Sequence, residues 1–407
     1  MKEHVFLQRV TLKNYKSIAA CDVRLGPLTF LVGPNGSGKS NFLDALRFVT
    51  DSLRRSVDHA LRDRGGIKEV RRRSGGHPTH FAIRLDFALP SGERGHYSFR
   101  ISSAVQAGFT VQDEECTVIK TDARTNSENF RVREGAVVSS TLSNPPASAP
   151  DRLYLVNASG FPQFRPVYDA LSKMGFYNLN PDHIRDLQPP DTGDILARDG
   201  SNLASVLSHL SKRNEPTKKR IEEFLAKVVP GVRAVEAKHI GPKETLEFKQ
   251  DVAGSKDPWS FFAANMSDGT LRALGVLVAL FQGANGVTSK VPIVGIEEPE
   301  VALHPAAAGV ILDSLREASR HTQVIVTSHS PDLLDYPKID TDSIYAVDQI
   351  GGATRIAPID EAGKSALKDR LYTAGELLRL NQLNPDSKAV PDQSGKQLKL
   401  FDDEATS

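Results

Sequence analysis

The chain has 407 residues, with 51 Lys and Arg against 50 Asp and Glu and a net charge of +1. That length can bury a full core and supports two domains or one large elaborated domain. The near-neutral balance gives no whole-surface attraction for nucleic acid, so any such contact has to be a local patch. Cys21 and Cys116 are the only cysteines; they cannot build a disulfide framework and lack zinc-ligand spacing, which fits a reducing cytosol. The opening MKEHVFLQRV has no signal-peptide core, and the longest apolar run, residues 274–281, is far short of a membrane span. A soluble, cytoplasmic protein is expected.

Residues 5–12 and 21–25 alternate as strands around a turn at 14–16, and residues 28–32 form an apolar strand. Directly after it comes GPNGSGKSN, which fits G-x-x-x-x-G-K-[ST] with Gly33, Gly38, Lys39 and Ser40. Gly33, Gly36 and Gly38 let backbone N–H groups turn inward as an anion nest at a helix N-terminus, with Asn35, Ser37 and Asn41 completing the cradle. Lys39 adds a charge for the β- and γ-phosphates, and the Ser40 hydroxyl suits Mg²⁺. Phe42, Leu46, Val49 and Leu53 then repeat at helical spacing. The next stretch carries Arg54, Arg55, Arg62, Arg64, Lys68, Arg71, Arg72 and Arg73 against Asp58, Asp63 and Glu69. It reads as a solvated face or as a DNA phosphate contact.

Residues 81–89 and 97–101 read as a hairpin, with further short strands at 116–120 and 130–133 and a loop or linker at 139–150. Residues 164–179 and 203–224 look largely helical, interrupted by DLQPPDTGD and Pro216. MSDGTLRAL begins another helix, N-capped by Ser267 or Asp268. VPIVGIEEPE, residues 291–300, is a buried-type strand ending in carboxylates; LHPAAAGV opens a helix with Pro305 in its first turn. Residues 323–326 form another buried strand leading into TSHSP, and two late strands are expected at 343–347 and 354–359. From about Asn384 the chain is polar and is expected to be disordered.

A P-loop site needs a second strand ending in acids, to hold Mg²⁺ and to direct a water at the γ-phosphate. Glu297 is placed to face the metal through water, and Glu298 to act as general base. In order, GPNGSGKSN, MSDGT, VGIEEPE, LHP and TSHSP resemble the Walker A, signature, Walker B, D-loop and switch-histidine motifs of ABC-type ATPases of the SMC/RecF class. The set is most similar to the compact AAA-type ATPases of that class, related to the ATPase portion of OLD-family proteins. NLNPDHIRDLQPP, DGSNLASVL and LYTAGELLRLNQL also resemble phrases of that compact family.

The resemblance implies an α/β fold, an ABC-type P-loop NTPase head with an antiparallel β lobe and a mixed helical/β insertion. Its expected parts are a first ATPase lobe at 1–105, an insertion at 106–255, a second ATPase lobe at 256–383 and a flexible tail at 384–407. It implies ATP and Mg²⁺ as cofactors and hydrolysis at Glu298. It also implies Ser267 and Gly269 reaching the γ-phosphate on a second copy's P-loop, with His329 as the γ-phosphate sensor. Glu297 replaces the usual Asp, and Asp268 a common Gly. Gln106, Gln112, Gln163 and Gln188 all compete for the Q-loop glutamine.

The long gap from Lys39 to Ser267 disfavours a transporter subunit. The segment after His329 lacks a clear Toprim acidic cluster, which suggests an ATPase module with a separate effector. QLKLF, from Gln397 through Phe401, resembles a sliding-clamp-binding peptide, with Lys399 departing from the usual form. The function expected is a nucleotide-driven homodimer switch in DNA repair or anti-phage defence; the alternative is a non-catalytic, nucleotide-dependent DNA-binding or scaffold protein.

Overall fold

The computed structural model describes residues 5–73, 78–104, 108–120, 127–283, 291–336 and 339–402. The strands are β1 (Leu7–Tyr15), β2 (Ile18–Arg24), β3 (Leu28–Val32), β4 (His80–Ala88), β5 (Arg94–Ser103), β6 (Phe109–Ile119), β7 (Ser127–Arg133) and β8 (Ala136–Ser140). They continue as β9 (Gly175–Tyr177), β10 (Val232–Ile240), β11 (Lys243–Gln250), β12 (Trp259–Phe262), β13 (Ile293–Glu297), β14 (Gln323–Ser328), β15 (Ile344–Ile350) and β16 (Ala353–Pro358). Thirteen of them form one sheet, β8-β7-β6-β5-β4-β1-β2-β16-β15-β3-β14-β13-β9, and β10-β11-β12 form a small second one.

The large sheet changes character along its width. From β8 to β2 it is antiparallel, whereas β15, β3, β14, β13 and β9 run parallel. The parallel strands are short runs rich in β-branched residues because both faces are covered. Leu31, Ile293 and Ile325 enter one core, while Phe30, Val32, Val294, Ile296, Val324 and Val326 enter the other. The helix Lys39–Arg54 lies on the first side, burying Phe42, Leu46, Val49 and Leu53 as their spacing predicts. Its Phe48 packs edge-to-face on Phe81, ring centroids 5.3 Å apart. On the second side, the helix Asp268–Phe281 buries almost every side chain after its first turn.

The expected insertion does not form one body. Its strands β6–β8 extend the antiparallel sheet of the first lobe, so the break expected after residue 105 falls between two paired strands, β5 and β6. Its β9 instead lies against β13 at the far edge. Pro216 sits in the first turn of the helix Glu215–Val228, just after the helix Leu203–Arg213 ends, so it separates two helices as anticipated.

In the basic stretch after the P-loop helix, Arg64, Arg71 and Arg72 form an internal brace, while Arg54, Arg55, Arg62, Lys68 and Arg73 lie exposed, as a solvated face would have them. The Arg64 side chain is 2% exposed and bonds Asp44 at 3.0 Å and Asp51 at 2.9 Å. Buried Arg72 donates to Ser17 O at 2.8 Å, and Arg71 to Pro78 O. Arg55, Arg62 and Arg73 pair with Asp63, Asp58 and Glu69.

The tail, expected to be flexible, is folded back across the sheet through residue 402. Asp386 N donates to Pro358 O at 2.8 Å, and Leu398, Leu400 and Phe401 are 6%, 1% and 1% exposed. Phe401 lies under the Arg100 guanidinium, 4.7 Å from its ring centroid, and Arg84 donates to Leu400 O at 3.3 Å. The anchors of QLKLF are therefore occupied within the chain, because Leu400 and Phe401 gain more by covering Ala82 than by staying in water.

Candidate nucleotide site

The site lies where the parallel strands β3, β13 and β14 end. Gly33 follows β3, and its N–H donates to Ser328 O at the end of β14, 3.3 Å away. A Cβ on Gly33 would stand 1.9 Å from Val347 O, so only glycine lets β15 pass this close. Gly38 has φ 102°, and a Cβ there would meet Thr354 Oγ1 at 2.0 Å. Thr354 Oγ1 in turn donates to Ser37 O at 2.8 Å and contacts Ser17 Oγ at 2.7 Å, to which Asn41 Nδ2 donates at 2.6 Å. Asn41 thus braces the loop, while Asn35 and Gly36 lie exposed at its tip.

Lys39 is 5% exposed, and its Nζ donates to Gly33 O at 2.7 Å and Pro34 O at 2.9 Å. Burial lowers its pKa, opposed by the charges of Glu298 and Glu300. Ser40 is exposed in the first turn of the helix.

Glu297 ends β13, and Glu298 follows in the left-handed region at φ 47°, a strained conformation for a non-glycine residue. That turn is held by Glu298 N donating to Thr327 O at 2.9 Å. It is also held by Arg272 of the Asp268–Phe281 helix, whose Nη2 donates to the carbonyls of Glu297 and Glu298 at 3.3 and 3.2 Å. Glu298 Oε1 lies 2.9 Å from Nδ1 of His329, which follows β14. Toward a carboxylate Nδ1 must be the protonated nitrogen, which leaves Nε2 as the second ring nitrogen. Ser267 caps the Asp268–Phe281 helix by accepting from Thr270 N at 3.2 Å, and it lies on the surface with Asp268. Gly269 is where Ala302 O would meet a Cβ at 2.5 Å, so the small residue lets the loop after β13 abut this helix.

The structure therefore brings Gly33, Lys39, Glu298 and His329 together from three strand ends, with Ser267 and Gly269 on a separate helix start. Four neighbours were not anticipated. Glu300 is 9% exposed, accepts from Ser328 Oγ at 2.5 Å, and is pushed up in pKa by burial. Arg272 and Arg198 reach Glu298 and Glu297, and exposed Asn178 follows β9 at the level where Glu297 ends β13. None of the described glutamine candidates takes that place. Gln188 is buried, bonding His183 O and Gly200 O; Gln112 sits in β6; Gln163 precedes the helix Arg165–Ser172; Gln106 lies outside the described residues.

The sequence profile described as "AAA domain, putative AbiEii toxin, Type IV TA system" matches residues 28–335, from β3 through the loop carrying His329. The chain belongs to this AAA-domain family. Endonuclease GajA of Bacillus cereus is 22% identical over 390 residues, 90% of this chain and 60% of GajA. DNA replication and repair protein RecF of Magnetococcus marinus is 42% identical over 62 residues, 14% of this chain and 16% of RecF. The chain thus spans about three fifths of the length of GajA, and the match to RecF is confined to a short segment. An Smc head domain with an extended coiled coil from Pyrococcus furiosus superposes with a TM-score of 0.54 at 13% identity, covering 90% of this chain and 99% of that one. By family this is an AAA-domain chain, and its fold is that of an Smc head domain. Among the described residues no helix is long and apolar enough to cross a membrane.

Proposed function

We propose that this ATPase-family chain hydrolyses ATP with Mg²⁺ and acts as a nucleotide-driven homodimer switch in DNA repair or anti-phage defence, passing its state to a separate effector. The observation that carries this reading is the Glu298–His329 pair, 2.9 Å apart, in the charge field of the P-loop Lys39.

The residues suit a Mg·nucleotide. Gly36, at φ 77°, has nothing within 4 Å of where a Cβ would stand, so the loop mouth is open to a phosphate. Buried Ser37 Oγ and Glu300 Oε2 lack hydrogen-bond partners among the described residues. The Gly38 N-cap of the Lys39–Arg54 helix has no side-chain cap, which suits an anion at that end. Bound there, Mg²⁺ would supply charge neutralisation of the phosphate oxygens.

Gly33, Asn35, Gly36, Ser37 and Gly38 would cradle the phosphates, and Lys39 would exchange its two carbonyl partners for phosphate oxygens. Ser40 and Glu297 would hold the metal. Glu298 would take a proton from the attacking water, with His329 fixing its carboxylate and following the γ-phosphate. Exposed Ser267 and half-buried Gly269, at the positive end of a 14-residue helix, would meet the nucleotide held by a second copy. The names of DNA replication and repair protein RecF and endonuclease GajA support work on DNA. QLKLF does not enter this reading because it is folded into the chain, and the 54–73 stretch does not because its exposed Arg55, Arg62 and Arg73 are already paired with Asp63, Asp58 and Glu69.

Mg-dependent ATP turnover measured on wild type, Lys39→Ala and Glu298→Gln tests the proposal. Wild type should turn over, Lys39→Ala should fail to bind, and Glu298→Gln should bind ATP but lose about 10²–10⁴-fold in rate. Wild-type turnover equal to that of Lys39→Ala would refute it.

A further inference from the structure

Resting on the assignment of Glu297 as the metal-side acid, we propose that Arg198 is a latch on that acid, which the metal must displace before nucleotide is bound tightly. Arg198 Nη2 donates to Glu297 Oε1 at 3.0 Å. The two residues are 99 positions apart, so the contact exists only because the loop after Gln188 is folded back beside β9.

That loop is held at many points. Asn178 N donates to Arg198 O at 2.9 Å and Asn180 N to Asp199 O at 3.0 Å, which stitches the loop to the chain following β9. Leu196 N donates to Gln282 Oε1 at 2.8 Å, just past the end of the Asp268–Phe281 helix, and Ala197 N to Asn202 Oδ1 at 2.7 Å. Gly200 turns at φ 83° where a Cβ would meet Ile184 at 2.7 Å. The backbone at Arg198 is therefore fixed, and only the side chain is free to leave. That side chain is 45% exposed, so solvent is open to it when it swings away, whereas Glu297 is 19% exposed.

The conflict is electrostatic. A guanidinium on Glu297 Oε1 takes up negative charge that the carboxylate would otherwise offer to a divalent cation. A divalent cation brought to the same carboxylate is repelled by the guanidinium beside it, so the two compete for Glu297. Arg272 does not play the same part, since it bonds the backbone carbonyls of Glu297 and Glu298 and leaves the carboxylates alone. The Arg198 latch thus sets the metal concentration at which the site closes on a nucleotide.

The test is binding of a fluorescent ATP analogue, followed by anisotropy, as Mg²⁺ is titrated. In Arg198→Ala the half-saturating Mg²⁺ concentration should fall about two- to five-fold, the range of an exposed ion pair. Binding in EDTA and the thermal midpoint should stay at wild-type values. Arg198→Lys, which keeps the charge, should return the Mg²⁺ midpoint toward wild type. Glu297→Gln should shift the midpoint by itself, and adding Arg198→Ala to it should change nothing more. A folded Arg198→Ala with an unchanged or raised midpoint, or a further shift in the Glu297→Gln background, overturns the latch. A Glu297→Gln midpoint equal to wild type refutes the metal assignment, and the latch with it.

Discussion

Glu298 illustrates how one backbone angle can set a chemical role. At φ 47° its chain turns out of β13, so its carboxylate meets His329 while the neighbouring Glu297 meets Arg198. The two acids were legible in the sequence because an apolar strand ended in them. Their different partners were not, since Arg198 and Arg272 arrive from distant segments. Glu300 escaped notice because a third acid after a proline looks like surface until its burial is seen.

Away from the site, Glu114 is completely buried and accepts from Leu155 N and Tyr97 Oη at 2.9 Å each, and from Tyr154 N. Burial outweighs these donors and pushes its carboxyl up to about 7, against 4.5 for an ordinary glutamate. The folded chain therefore holds this proton more tightly than the unfolded chain. The resulting stability is complete below about pH 4.5 and is lost as pH rises through 7. At about 1.4 kcal/mol per unit, the loss is on the order of 3 kcal/mol. Denaturant unfolding from pH 4 to 8 should show this downward contribution in wild type and lose it in Glu114→Gln; equal slopes would contradict it.

At the scale of elements, the P-loop is held from outside as well as by its own glycines. Gly38→Ala places a methyl in the left-handed region and against Thr354, so a cost of at least about 1–2 kcal/mol is expected together with loss of nucleotide binding. Unfolding midpoints and analogue binding measure both, and wild-type behaviour in the two assays would exclude the brace. Thr354 could not have been tied to the loop from sequence, because β16 reaches it only through the sheet order.

The tail is the converse case. Its polarity predicted disorder, yet Leu398, Leu400 and Phe401 are buried, with backbone bonds and Arg84 holding the rest. Phe401→Ala should destabilise the chain by on the order of 3 kcal/mol, whereas exposed Lys399→Ala should stay within about 0.5 kcal/mol. Similar small shifts in thermal unfolding for both variants would mean that the tail packing contributes nothing.

Across the whole molecule, the α/β class, the nucleotide strand and the signature helix were readable because buried parallel strands and helical periodicity are strong local signals. The continuity of the sheet was not, since the pairing of β9 with β13 and of β16 with β2 is long-range and leaves no local pattern. The completed fold places Ser267 and Gly269 at a surface helix start, and the account requires a second copy to use them. Light scattering of Glu298→Gln with Mg·ATP tests this most directly. The account predicts a mass that doubles on adding Mg·ATP and returns to one chain when Ser267→Arg is introduced. A mass that stays at one chain with Mg·ATP bound would contradict it.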